Sequence, residues 1–124
     1  MLKQMDTQLY FGNHIDAYQE DMLRDLARLI AIPSVCGKPE GMYPYGKKSA
    51  EALELILSMA QEMGFDTVNA DYYAGHAEYG EGEEIAAVLA HVDVVPTGDG
   101  WNSDPFTLTR KGDLLFGRGT ADDK

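Results

Sequence analysis

Between Ile85 and Leu89 the chain reads Ile-Ala-Ala-Val-Leu, a compact apolar run in which polar and apolar residues do not alternate. Such a run is expected of a strand covered on both faces, and covering both faces requires helices on either side, which makes the fold α/β. A central strand is therefore predicted over Ile85 to His91. Pro96 closes the stretch, because proline has no N–H to give to a ladder. His91 and Asp93 arrive at the carboxyl end of the run, where open α/β sheets carry their ligand-binding and catalytic groups. Two residues apart on extended backbone, they point to the same side, so the Asp93 carboxylate can orient the imidazole and fix its tautomer.

The flanking sequence supplies the helices. From Asn13, a candidate N-cap, the apolar residues Ile15, Tyr18, Met22, Leu26, Leu29 and Ile30 recur at spacings of three and four, predicting a first helix from Asn13 to Ile32 that Pro33 stops. A second helix is expected over Lys47 to Met63, buried through Leu53, Ile56, Leu57, Ala60 and Met63, with Gly64 as its left-handed C-terminal cap. Phe65 to Tyr73 suits a strand, and Gly75 is expected to turn the chain into a second strand at Ala77 to Tyr79, antiparallel to the central one. Phe106 to Thr109 and Leu114 to Phe116, separated by Lys111-Gly112-Asp113, read as a hairpin. Residues 1–12 show no clear period.

With 124 residues, 44% of them hydrophobic, one domain over 1–124 is expected and no second module. A net charge of -11 argues against nucleic acid or an anionic membrane as partner, since both require basic patches. The first residues lack the apolar core of a secretory signal and no run is long enough to span a bilayer, so the cytoplasm is the default compartment. Cys36 is the single cysteine, which excludes an internal disulfide and a cysteine-based zinc site, and no base stands beside it to make it a nucleophile.

A lone histidine on a strand is more often structural than a ligand, but His91 does not stand alone. His91-Val92-Asp93-Val94-Val95-Pro96, Gly100-Trp101, Asp104-Pro105-Phe106 and Gly117-Arg118-Gly119-Thr120-Ala121-Asp122-Asp123-Lys124 together resemble the aminoacylase and carboxypeptidase clan of dinuclear zinc peptidases. The segment from Gly75-His76 through Glu84 brings the bacterial dipeptidases closest. The resemblance implies the N-terminal part of a zinc-exopeptidase-like catalytic domain, with helices packed on a mixed β-sheet. It also implies two zinc ions, with His91 on one metal, Asp122 bridging both, and Asp93 the candidate catalytic residue behind His91. Two zinc ions ~3.5 to 4 Å apart need a shared carboxylate. Asp122 and Asp123 would diverge on extended backbone, so only one can bridge, and the family pattern Gly-Arg-Gly-x-x-Asp-x-Lys selects Asp122 and implies a cis peptide after it. Asp123 is left as a solvated or capping carboxylate. Gly117-Arg118-Gly119 is no dinucleotide fingerprint, because Asp122 occupies the third glycine's place. Arg118 is expected to pair with an acidic neighbour, and Trp101 to pack the loop beside the site. His14 and His76 read as structural or exposed.

The general base of such an enzyme is a glutamate in a Glu-Glu pair, and it, with the remaining ligands, would lie beyond Lys124. The 124 residues are therefore read as an incomplete N-terminal portion of a zinc-dependent dipeptidase acting on dipeptides. One alternative is a deacylase of the same clan acting on N-acyl amino acids, of the succinyl-diaminopimelate desuccinylase or acetylornithine deacetylase type. The other is a non-catalytic piece that binds metal weakly or self-associates through its unfinished surface. Purified 1–124, assayed with zinc against a dipeptide panel, should show no turnover above background. Turnover that survives repurification and vanishes in His91→Ala would refute that expectation.

Overall fold

The computed structural model describes residues 14–124, so Asn13, the expected N-cap of the first helix, lies outside the described residues. A 3-10 turn at Asp16–Tyr18 leads into α1 (Gln19–Ile30), and α2 covers Lys47–Glu62. Ile32 precedes Pro33, whose ring disfavours helical backbone in the residue before it, and α1 accordingly stops at Ile30. Leu29 and Ile30 are buried while Ile15, Tyr18 and Met22 are exposed, so the stripe is covered only at its C-terminal end. α2 ends as expected. Gly64 takes φ 90, its N–H is donated to the Gln61 carbonyl at 2.9 Å and the Phe65 N–H to the Ala60 carbonyl at 3.0 Å, which is the Schellman pattern.

α2 packs on a hairpin of β1 (Asp66–Ala70) and β2 (Ala74–Glu78), paired antiparallel with Thr67 opposite Ala77 and Asn69 opposite Gly75. This corrects the sequence reading at two points. The turn lies at Asp71 and Tyr72, both with positive φ (52 and 62), and β2 pairs with the strand before it, not with the one after. Two consecutive left-handed residues make the turn that matches strand twist, although a tyrosine is an unusual occupant. Tyr72 is held there from three sides: its N–H is donated to the Asn69 side chain at 2.8 Å, its hydroxyl to Glu54 at 2.8 Å, and its ring meets Tyr43 edge-on at 4.9 Å between centroids. Gly75 marks close approach instead of a turn: a Cβ there would stand 2.9 Å from the Leu57 Cδ1, and that side chain would have to shift. The second hairpin forms as expected at β4 (Leu114–Phe116), but its first strand, β3, is Thr109–Lys111 and not Phe106 to Thr109: Lys111 pairs with Leu114 and belongs to the ladder instead of the turn.

The expected central strand over Ile85 to His91 is not paired. No other described strand lies beside it, and Ile85, Val88 and Leu89 are 89%, 95% and 92% exposed, so neither face carries a helix. Strand character begins only after His91. Val94 bridges Val35 in parallel, the Val94 N–H is donated to the Ser34 carbonyl at 3.0 Å, and the Ser34 hydroxyl to the Val92 carbonyl at 2.6 Å. With both hairpins antiparallel and this bridge parallel, the pairing is mixed. The core lies where the bridge meets the helices: Leu29, Ile30, Ile32, Ala50, Ala52, Met59 and Val94, with Ser34 fully buried among them.

Ser34→Ala should lower stability by about 1 to 3 kcal/mol, because it withdraws the buried donor from the Val92 carbonyl. Urea unfolding reads the effect, and an unchanged midpoint would mean that this hydrogen bond does not fasten the 92–94 segment.

Candidate functional site

His91 stands at the point where the extended segment becomes tied to the body of the fold, one residue before the Val92 carbonyl that Ser34 holds. Its ring lies between two carboxylates. Nδ1 is 3.1 Å from the Asp93 carbonyl oxygen and 3.2 Å from the Asp93 Oδ1, and Nε2 is 3.1 Å from the Asp122 Oδ1. A neutral imidazole has one N–H and can donate on one side only, whereas the imidazolium donates on both. The pKa of His91 is accordingly raised above 6.5, first through the Asp93 backbone carbonyl, then through the Asp93 charge and the hydrogen bond and charge of Asp122, with desolvation opposing. All three side chains are at least half exposed.

Asp122 reaches the ring from the loop after β4. Gly117 presses on Ile30, where an added Cβ would come within 3.2 Å of the Ile30 Cγ2, and the Arg118 N–H is donated to the Pro105 carbonyl at 2.7 Å. The Asp122–Asp123 peptide is cis, as the resemblance implied. Asp123 is not merely solvated: its Oδ2 lies 3.4 Å from the His91 N–H as an acceptor, so adjacent aspartates reach the ring and the backbone of one histidine.

One other expectation changes. Among the described residues Arg118 has no acidic partner. It donates to the Thr97 carbonyl at 3.0 Å and lies over the Trp101 ring at 5.4 Å, while its Nε is buried without a partner. Trp101 does fasten the loop, with its indole N–H donated to the same Thr97 carbonyl at 2.9 Å. A cleft of about 470 Å³ lined by Trp101, Lys111, Phe116 and Arg118 includes none of His91, Asp93 or Asp122, so it is separate from the carboxylate–imidazole group. Sequence reasoning gave no role to Lys124. Its Nζ donates to the Leu29 carbonyl at 2.6 Å and the Ile32 carbonyl at 2.5 Å, at the C-terminal end of α1, where a cation also meets the negative end of the helix dipole. Burial lowers its pKa to about 8. The signal available in the sequence was the terminal lysine of the family pattern.

Among the described residues no three His, Cys, Asp or Glu side chains converge on one point where an ion could sit, so His91 and Asp122 form a two-armed group with Asp93 behind it. Among them also, no helix is long and apolar enough to cross a membrane.

The His91 ring should titrate above 6.5 in the folded chain, and Asp122→Asn should bring it down, as read from ring resonances by NMR. The sign follows from the direction of the shift. Because the folded value is raised, His91 contributes stability that is fully present below 6.5 and lost as pH rises through the folded value. An Asp122→Asn chain that titrates like the parent would show that the Nε2 contact is absent in solution.

Residues 87–124, which hold His91, Asp93 and Asp122, match the sequence profile "Peptidase family M20/M25/M40". "Putative dipeptidase YtjP" of Bacillus subtilis (strain 168) is 42% identical over 108 residues, which is 86% of this chain and 23% of that protein. "Putative dipeptidase SH1171" of Staphylococcus haemolyticus (strain JCSC1435) is 41% identical over 112 residues, 89% of this chain and 24% of that protein. The chain thus spans about a quarter of the length of the curated relatives it matches. Among solved structures, human carnosine dipeptidase 1 shares the fold at a TM-score of 0.70 with 24% identity, over 89% of this chain and 26% of that one. The chain thus carries in residues 87–124 the signature of Peptidase family M20/M25/M40.

Proposed function

We propose that this segment supplies the first part of the metal centre of a zinc-dependent dipeptidase, with His91 a ligand of one ion, Asp122 the bridging ligand of two, and Asp93 the residue that orients His91. The observation that carries the reading is the imidazole held between Asp93 at Nδ1 and Asp122 at Nε2. A zinc-bound histidine characteristically gives its other ring N–H to a carboxylate or carbonyl, and Asp93 offers both. The donor set also fits in dimension. With arms of about 2 Å, two ligands of one tetrahedral ion stand ~3.3 Å apart, close to the 3.1 Å between Nε2 and Oδ1. Asp93 keeps the proton on Nδ1, which directs the Nε2 lone pair outward toward Asp122. Asp122 keeps one oxygen at His91, and its second is free for a second ion.

Bound zinc would lower the pKa of a coordinated water to about 7 and polarise the scissile carbonyl. In a protein of the relatives' full length, further ligands and the general base would come from residues outside these 124, and the substrates would be dipeptides, in keeping with the names of the relatives. A cytoplasmic location accords with that reading.

In such a full-length protein Asp93→Ala should lower zinc affinity by about 10 to 100-fold while leaving the fold intact, the usual cost of removing a residue behind a metal ligand. Asp122→Ala should do more harm, since it removes a ligand of both ions. Metal analysis of the purified variants decides the matter: full zinc retention in Asp122→Ala would show the ligands wrongly assigned.

A further inference from the structure

Lys124 lies two residues past Asp122, yet its ammonium is not at the carboxylate–imidazole group; it is at the end of α1, on the carbonyls of Leu29 and Ile32. Two residues beyond Ile32, Ser34 holds the Val92 carbonyl through its hydroxyl, and Val92 follows His91. Both arms of the site are thus tied to one short stretch at the end of α1, the His91 arm through Ser34 and the Asp122 arm through Lys124. The backbone between is kept short: the Lys124 N–H is donated to the Gly119 carbonyl at 3.0 Å, closing a six-residue loop around Asp122. Gly119, at φ 105, lies against the lysine stem, and a Cβ there would come within 2.9 Å of the Lys124 Cδ and 3.0 Å of its Cγ. The stem therefore passes through a space that only glycine leaves open.

We propose that Lys124 is a positioning residue, whose ammonium fixes the Asp122 loop to the C-terminal carbonyls of α1 and so sets the separation of Asp122 from His91. The idea rests on the reading of His91 and Asp122 as metal ligands for its functional meaning, though not for its geometry. A lysine that only capped the helix would affect melting temperature alone. A lysine that sets the ligand separation affects the approach of Asp122 to the ring, and metal affinity with it.

The test uses the 124-residue chain with Cys36→Ser, which removes its one thiol. Lys124→Met keeps the stem and removes the ammonium, and Lys124→Cys, alkylated with 2-bromoethylamine, restores an ammonium on a thioether arm of lysine's length. Three readouts are taken: nuclear Overhauser contacts between the His91 ring and the Asp122 β-protons, zinc affinity by competition with a chromophoric chelator, and the melting temperature. The expected result is loss of the contacts and about tenfold weaker zinc in Lys124→Met, with both restored in the alkylated chain and absent from the unalkylated Lys124→Cys. Contacts retained in Lys124→Met would overturn the proposal, as would an alkylated chain that regains the parent's melting temperature without regaining the contacts. His91→Ala separates the two ideas: unchanged zinc affinity there defeats the ligand assignment, while the contacts still decide the role of Lys124.

Discussion

The end of α1 is the point on which the candidate site depends. A helix leaves its last carbonyls without intrahelical donors, and an end that is neither solvated nor capped is costly. Here the carbonyl of Leu29, in the last turn of α1, and that of Ile32, just past its end, meet the ammonium of Lys124, and Ser34 uses its hydroxyl and its carbonyl on Val92 and Val94. Pro33 makes this possible by ending the helix where it does, so that Ser34 turns inward with no exposed surface. Ile30, fully buried, fills the remaining space beneath Gly117. Two segments about thirty residues apart in sequence are brought within 3.1 Å at His91 and Asp122 because each is fastened to the same few residues.

Surface charge contributes little to this arrangement. Ion pairs on α1 and α2, such as Arg24 with Asp21 and Lys48 with Glu51, join exposed side chains three residues apart, where solvent screens the attraction and little stability results. The charge of -11 has a clearer consequence at the site, where the Asp93 and Asp122 carboxylates flank one imidazole and favour its protonated form.

Much of the local structure was legible because it rests on short-range chemistry. The apolar spacing of α2, the left-handed Gly64 and the turn at Gly112 each specify their elements without help from elsewhere. The β1–β2 turn was not legible, since Asp71 and Tyr72 adopt left-handed backbone through contacts with Asn69, Glu54 and Tyr43, which no window of sequence reveals. Gly75 misled in the same way: it marks close approach to Leu57, which from sequence looks like a turn. The apolar run at Ile85 signals burial on both faces, a property of neighbours, and among the described residues those neighbours are not there. His91 and Asp122 were named from a resemblance, and the structure brings them together; Lys124 escaped because a lysine's partner is set by a long, flexible stem whose reach sequence does not specify.

The geometry also bears on what the proposed ligand role would ask of each aspartate. With both ring nitrogens facing acceptors, the surroundings favour the charged ring, the direction in which the pKa of His91 is raised. A metal ion at Nε2 would compete with a proton for one lone pair, so under the proposed reading binding would release that proton. Asp93 would be indifferent to the exchange, because a hydrogen on Nδ1 would suit its oxygens in either form. Asp122 would not: it would accept from Nε2–H in the one and turn that oxygen to the ion in the other. Under that reading Asp122 must stay close to the ring in both forms, and the Asp123 contact with the His91 N–H and the Lys124 anchor both lie within two residues of it.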